Sequence, residues 1–395
     1  MMHFDFFMPA RIVFGLGRLD ELALTADLPA GTRAMIVIGA DGAMLKQGYL
    51  ARVQGLMAAR GVATLVYDRI RPNPETVQVD EGAAQARAKK VDFIVGLGGG
   101  STIDAAKAIA LLARNPGGCW DYVAGGSGGG QAPEQKALPV VAIPTTAGTG
   151  TEAVSECVIT RTGGAEKIGW AHPSMYPGLA IVDPDLTLSL PASTTAHTGM
   201  DALFNAVEAL LASCRQPASD LMALEAVQII SRYLPRVVAD GSDREARSLL
   251  MWASTAAGIC ESLSPGISLH ALAHALGAHA PDLPHGMALT LLSGPYFEWL
   301  GQRYPERFDL LAAAMGHSEN SSATEGPRRF SAALRALIDA AGLGHESLST
   351  WGLAENQSAD LARTAFDTLG GLFESAPIPM VSADAEAILA AALGQ

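Results

Sequence analysis

The sequence predicts a two-part α/β fold: an N-terminal domain on a doubly wound, mainly parallel sheet, followed by an all-α C-terminal domain. Three observations carry this expectation. Short β-branched runs alternate with amphipathic segments as far as residue 190. Beyond that point the strand signal almost disappears, and long Ala/Leu/Glu segments run to the C-terminus. Finally, 395 residues exceed what one small core accommodates. The expected domains are therefore residues 1–190 and 191–395.

The opening "MMHFDFFMPARIVFG" has an Asp inside its apolar run and no basic head, so it reads as the start of the fold and not as a signal peptide. "AMIVIGA" from Ala34, "VATLVYD" from Val62, "DFIVGLG" from Asp92 and "PVVAIP" from Pro139 are apolar runs bounded by Gly, Pro or Asp. Strands buried on both faces of a parallel sheet look like this. "LKQGYLARVQGLMAARG", "PETVQVDEGAAQARAKK" and "STIDAAKAIALLARN" lie between them with helical spacing, the order of βαβ units. Residues 117–136, "GGCWDYVAGGSGGGQAPEQK", form a Gly-rich loop expected to be mobile. "SECVITR", "EKIGWAH" and "GLAIVDP" are further extended segments. In the second half, "ASDLMALEAVQIISRYL" and "REARSLLMWASTAAGICESL" read as helices, and residues 316–329, "GHSENSSATEGPRR", as a polar loop between helices.

A net charge of −13 with no clustered basic surface excludes a nucleic-acid partner. No window reaches the length of a membrane span, so no membrane partner is expected. Cys119, Cys157, Cys214 and Cys260 are scattered and form no CxxC pair, which disfavours a zinc–thiolate site or a disulfide framework. They read as small, semi-buried residues of a protein in a reducing cytoplasm.

Two glycine-containing strand ends suggest an anion or nucleotide ligand. "GLGGGSTIDAAKAIA" passes through Gly98, Gly99, Gly100 and Ser101 into a helix, whose first N–H groups face whatever lies there. It matches neither GxGxxG nor the Walker sequence, and a tight strand–helix turn would also use these glycines. Asp104 and Lys107 share the side of Ser101. The second loop, "PTTAGTGTE", supplies threonine hydroxyls and backbone donors suited to a phosphate or ribose. Two such loops at carboxyl ends of parallel strands form the crevice in which dinucleotides bind. Asp41 lies just beyond another strand: it suits a ribose diol and repels a 2′-phosphate, favouring NAD over NADP, although a turn cap uses the same residue.

"HALAHALGAHAPDLPHG" places His270, His274, His279 and His285 within sixteen residues. His270 and His274 are spaced i, i+4, and His285 follows Pro284 on a loop or a first helical turn. Four histidines so grouped point to coordination or proton transfer. Asp201 and Asn205, in "GMDALFNAVEALL", share one helix face. Two imidazoles with the Asp201 carboxylate suit Fe²⁺ or Zn²⁺, and such an ion polarises an alcohol or carbonyl oxygen.

With "FFMPARIVFGLGRLDEL", "GGGSTIDAAK", "PTTAGTGTE", "VDPDLTLSLP", "GMDAL", "HALAHALG" and "PHG" in this order, the whole chain resembles the iron-dependent (group III) alcohol dehydrogenase family, whose architecture is dehydroquinate synthase-like. The resemblance implies a dinucleotide-binding α/β domain and a helical metal and substrate domain. It assigns Gly98, Gly99, Gly100 and Ser101 to the pyrophosphate with Asp104 nearby, Thr145, Thr146 and Thr149 to the cofactor, and Asp41 to the adenosine ribose. Lys167 falls where family members often place a cofactor-contacting lysine, and an exposed strand lysine would look the same. The metal ligands become Asp201, Asn205, His270 and His285, and His274 becomes the histidine near the nicotinamide that assists proton transfer. A homodimer is the assembly that the resemblance implies.

Asn205 stands where the family has histidine, and an amide oxygen is a weaker ligand than imidazole for Fe²⁺ or Zn²⁺. Three outcomes follow: a three-ligand site of Asp201, His270 and His285; a substitute ligand from His197 or His279; or a metal-free site, as maleylacetate reductases in this superfamily resemble, although those also alter the Asp kept here. The expected activity is NAD-dependent interconversion of a small alcohol and its aldehyde or ketone. The alternatives are a metal-independent reductase, a lyase or cyclase resembling dehydroquinate synthase, which would need more basic residues for a phosphorylated substrate, and an inactive cofactor-binding relative.

Overall fold

The computed structural model describes residues 3–317 and 325–394. The first two residues of the N-terminal run and residues 318–324 of the polar loop expected over 316–329 lie outside the described residues. Two compact units are present, one of Met8–Thr146 with Gly150–Ser189, the other of Met1–Phe7 with Ala147–Thr149 and Leu190–Gln395.

The α/β unit runs β1 (Arg11–Phe14), β2 (Arg33–Gly39), α1 (Ala43–Lys46), α2 (Tyr49–Ala59), β3 (Ala63–Ile70), α3 (Thr76–Lys89), β4 (Phe93–Gly98), α4 (Gly100–Leu112), β5 (Val140–Pro144), β6 (Glu156–Thr160), β7 (Lys167–Ala171) and β8 (Leu179–Val182). Among the described residues, six strands form a parallel sheet in the order β1-β8-β5-β4-β2-β3, and β6 and β7 form a separate antiparallel pair. The apolar runs of β4 and β5 are buried along their whole length because helices cover both faces. On one face Ile36, Ile38, Val95 and Ile143 pack with Leu50, Val53 and Met57 of α2. On the other, α4 approaches so closely that a Cβ on Gly96 would lie 3.1 Å from Ala106 Cβ.

The segment that reads as one helix before β3 is two, because Gly48 at φ 73° interrupts it after α1. Residues 117–136 carry no strand or α-helix, but they are turned back on themselves and tethered. Cys119 N–H donates to Asp80, and Ser127 donates twice to Glu166, through its N–H at 2.7 Å and its hydroxyl at 2.6 Å. Asp183, fully buried after β8, accepts from the N–H groups of Gly17, Leu19 and Asp185, which fixes the turn that follows β1. All four cysteines are free; Cys214 is exposed, unlike the other three.

The other unit contains α5 (Ala192–Leu211), α6 (Pro217–Ala239), α7 (Arg244–Leu263), α8 (Ser268–His279), α9 (His285–Arg303), α10 (Phe308–Ala314), α11 (Gly326–Ala340), α12 (Ser358–Glu374) and α13 (Ser382–Leu393), with no strand among its described residues. Phe297 is central to its core, stacked on Phe204 and edge-on to Phe308 and Phe330. Asp243 caps α7 by accepting from Ala246 N–H. From Gly199 to Leu211 every residue of α5 is buried, so Asp201, Asn205 and Glu208 are polar groups inside an apolar core and need partners. None of the described helices is long and apolar enough to cross a membrane.

Candidate metal centre and cofactor loops

α5 supplies Asp201, α8 supplies His270 in its first turn, and His285 is the first residue of α9. Gly286 explains how α9 reaches this place. A Cβ there would lie 1.9 Å from the His197 carbonyl oxygen and 3.3 Å from Asp201 N, so only a glycine lets the start of α9 abut α5. His285 is thereby seated opposite Asp201.

Asp201 Oδ1 stands 3.9 Å from His270 Nε2 and 3.8 Å from His285 Nε2, and the three donor atoms lie within 4.8 Å of one another. Asp201 and His270 are buried, and His285 is partly open. Metal–ligand bonds of about 2.0–2.2 Å imply donor separations of roughly 3.0–3.6 Å, so inward shifts of a few tenths of an ångström would close the triangle on an ion. Two imidazoles and a carboxylate match the donor set of non-haem Fe²⁺ and of catalytic Zn²⁺ sites.

The electrostatics fit a cation as well. Burial works against a charged His270, but the carboxylates of Glu208 and Asp201 outweigh it and hold its pKa well above the ordinary imidazole value. A pocket that draws a proton onto a buried imidazole demands positive charge, which a divalent ion would supply.

Asn205 is buried one turn beyond Asp201. It lies on the stripe between Asp201 and Glu208, both of which approach His270. His274, one turn after His270, is buried and packs its ring edge-on to His285 with centroids 5.0 Å apart. It is not one of the three converging donors. Neither substitute ligand joins them: His279 Nε2 lies 3.3 Å from Thr364 Oγ1, and His197 is half-buried on α5, its pKa lowered by burial.

Glu208 is the residue that sequence reasoning passed over. Its Oε1 is 2.9 Å from His270 Nδ1, and its Oε2 accepts a short hydrogen bond from Ile267 N–H at the start of α8. The signal was present, since an acid seven residues after Asp201 falls on the same face of an otherwise apolar helix.

The two glycine-containing loops leave the sheet of the α/β unit, and residues 147–149 of the second belong to the helical unit. Gly98 at the end of β4 is in register with Pro144 at the end of β5, and Thr145 N–H donates to Gly98 O at 2.9 Å. Both loops therefore leave the carboxyl edge side by side, and β2, which leads to Asp41, pairs with β4 on its other side. The chain order reverses there, the usual ligand position in such sheets. No side chain caps α4 at Gly99. A Cβ on Gly98 would lie 2.7 Å from Thr102 Oγ1, and one on Gly99 3.2 Å from Thr146, so the chain enters the N-terminus of α4 with little room for a side chain at either position.

Thr145 is buried and Thr146 half-buried, whereas Thr149 belongs to the helical unit, in which neighbouring Gly148 lies against Thr198. Asp41 is exposed, and its Oδ1 accepts from Ala43 N–H across the turn before α1, whose N-cap is Gly42.

Asp104 and Lys107 face inward. Asp104 accepts from Thr151 Oγ1 at 2.5 Å and Val158 N–H at 3.0 Å, and Lys107 Nζ donates to Thr151 Oγ1 and Glu156 O. They tie α4 to the β6–β7 pair. Burial raises the pKa of Asp104, while Lys107 and Lys167 pull it back. Lys167, readable from sequence as an exposed strand lysine, is buried.

Two family descriptions cover nearly the whole chain: "iron-containing alcohol dehydrogenase" over residues 9–184 and "Fe-containing alcohol dehydrogenase family, C-terminal" over 195–393. The chain is 33% identical to long-chain-alcohol dehydrogenase 1 of Geobacillus thermodenitrificans, over 97% of this chain and 96% of that one. It is 33% identical to the NAD-dependent methanol dehydrogenase of Bacillus methanolicus, over 85% of this chain and 84% of that one. Among solved structures it is similar to an archaeal halo-thermophilic Red Sea brine pool alcohol dehydrogenase, with a TM-score of 0.94, 31% identity and full coverage of both chains. With its parallel sheet, its helical second unit and its Asp–His–His triangle, this chain belongs to the iron-containing alcohol dehydrogenase family.

Proposed function

We propose that the chain is an NAD-dependent alcohol dehydrogenase that interconverts a small alcohol and its aldehyde or ketone. The observation that carries this reading is the convergence of Asp201 Oδ1, His270 Nε2 and His285 Nε2. When bound, a divalent ion supplies Lewis-acid polarisation of the substrate oxygen, and nicotinamide supplies the hydride chemistry. Asp201, His270 and His285 hold the ion, Fe²⁺ or Zn²⁺, with Asn205 as a weak fourth donor. His274, beside His285, moves the hydroxyl proton outward.

Gly98, Gly99, Gly100 and Ser101 bind the pyrophosphate through the N-terminus of α4. Thr145, Thr146 and Thr149 add hydroxyl contacts, and Asp41 takes the ribose diol, favouring NAD. Asp104 and Lys167 belong to the same site but act from beneath, through the buried network that fixes α4. In this reading residues 1–190 bind the dinucleotide and 191–395 the metal and substrate, in a cytoplasmic homodimer. The two relatives are named for methanol and for long-chain alcohols, so family membership specifies the CH–OH group and leaves chain length to the pocket.

Asn205 favours the metal-independent alternative, whereas Asp201, within 4 Å of both imidazoles, favours the ion. The test is NADH formation with a panel of alcohols before and after chelation. Loss of turnover on chelation and recovery with Fe²⁺ or Zn²⁺ is expected. Unchanged turnover by the stripped protein would favour the metal-independent reductase instead.

A further inference from the structure

Glu208 is fully buried in α5, and both of its oxygens are directed at α8. Oε2 takes the N–H of Ile267, the residue that precedes α8 and has no side-chain cap of its own. Oε1 lies 2.9 Å from Nδ1 of His270, while Nε2 of the same ring faces Asp201. The space around this pair is tight, because a Cβ on Gly266 would come 3.3 Å from Glu208 Oε2 and 3.5 Å from His270 Cγ.

A buried carboxylate is costly unless paired; here Oε2 has a backbone donor at the positive end of a helix, and Oε1 stands 2.9 Å from the buried imidazole Nδ1, the nearest group that can pair with it. An imidazole that keeps its proton on Nδ1 and points that N–H at a carboxylate has a basic lone pair on Nε2 and a fixed ring orientation. We propose that Glu208 is a positioning residue for the metal centre: it holds the His270 ring with Nε2 toward Asp201 and His285, and joins that ring to the start of α8.

The proposal rests on the metal reading above and extends it to a residue outside the donor set.

The experiment uses the full-length protein, stripped of metal and titrated with Co²⁺, whose visible absorption reports ligand geometry. Circular dichroism checks the fold, and NADH fluorescence checks the cofactor loops. Glu208→Gln is expected to keep its fold and NADH affinity, to bind Co²⁺ about 10- to 100-fold more weakly, and to alter the absorption band. Glu208→Asp keeps the charge but withdraws it by a methylene, so an intermediate loss is expected; it also provides the reading if the glutamine variant does not fold.

In a His270→Ala background Glu208→Gln should cost almost nothing further, since the residue acts through that ring. Glu208→Gln, or Glu208→Asp in its place, binding Co²⁺ within twofold of the native protein with an unchanged band would overturn the proposal. So would a full tenfold loss that persists without His270. Failure of the native protein itself to take up Co²⁺ would overturn the metal reading and this inference together, whereas native uptake with an indifferent Glu208 overturns this inference alone.

Discussion

Gly286 lies against the carbonyl oxygen of His197, with no room for a Cβ between α9 and α5. The contact is backbone to backbone, so no side-chain rotation relieves it. Gly286→Ala is expected to push the start of α9 outward and carry His285 with it, at a cost of about 1–3 kcal/mol in stability. Thermal melts with metal titration check this: a lower melting temperature and weaker metal binding are expected together.

Asn205 lies between Asp201 and Glu208 on the polar stripe of α5. Asn205→His adds an imidazole at that position, and about a tenfold or greater gain in Zn²⁺ affinity is expected from the stronger donor. Asn205→Ala removes only a weak ligand and should cost less than tenfold. Competition with a chelator of known affinity measures both.

The raised pKa of His270 gives metal binding a sign with pH. A proton on Nε2 must leave before the ion binds, so affinity should fall as pH falls below that raised value, by about tenfold per unit. The metal-free protein should behave oppositely. Its stability from imidazolium–carboxylate contacts is fully present below the unfolded histidine value of about 6.5, and it is lost as pH rises through the folded value. Melting temperatures of the stripped protein across this range, with and without added metal, test both signs.

Asp41 follows β2, with one carboxylate oxygen engaged by Ala43 N–H. Its charge should exclude a 2′-phosphate, so Asp41→Gly is expected to narrow the preference for NAD over NADP by about tenfold, roughly 1.4 kcal/mol. The ratio of kcat/KM values for the two cofactors is the measurement.

The parallel sheet was legible because its strands are buried on both faces and therefore read as unbroken apolar runs ending in Gly or Pro. β1 was not, since four residues at a sheet edge leave too short a pattern. Asp201, His270 and His285 stood out as ionisable side chains in apolar helices. Glu208 sits in the same kind of segment but has no motif of its own; only the packing of α5 on α8 gives it a partner. Lys167 was ambiguous for a related reason: the buried carboxylate of Asp104 that accompanies it lies 63 residues earlier in the chain.

The central claim is that Asp201, His270 and His285 bind a divalent ion on which turnover depends. Metal content by mass spectrometry, on native protein and on Asp201→Ala prepared without chelator, tests it most directly when paired with NADH formation from an alcohol. One ion per native chain is predicted, with metal and activity both lost in the variant while its circular dichroism spectrum is retained. Native protein that turns over without stoichiometric metal, or a variant that keeps both metal and activity, would contradict the account.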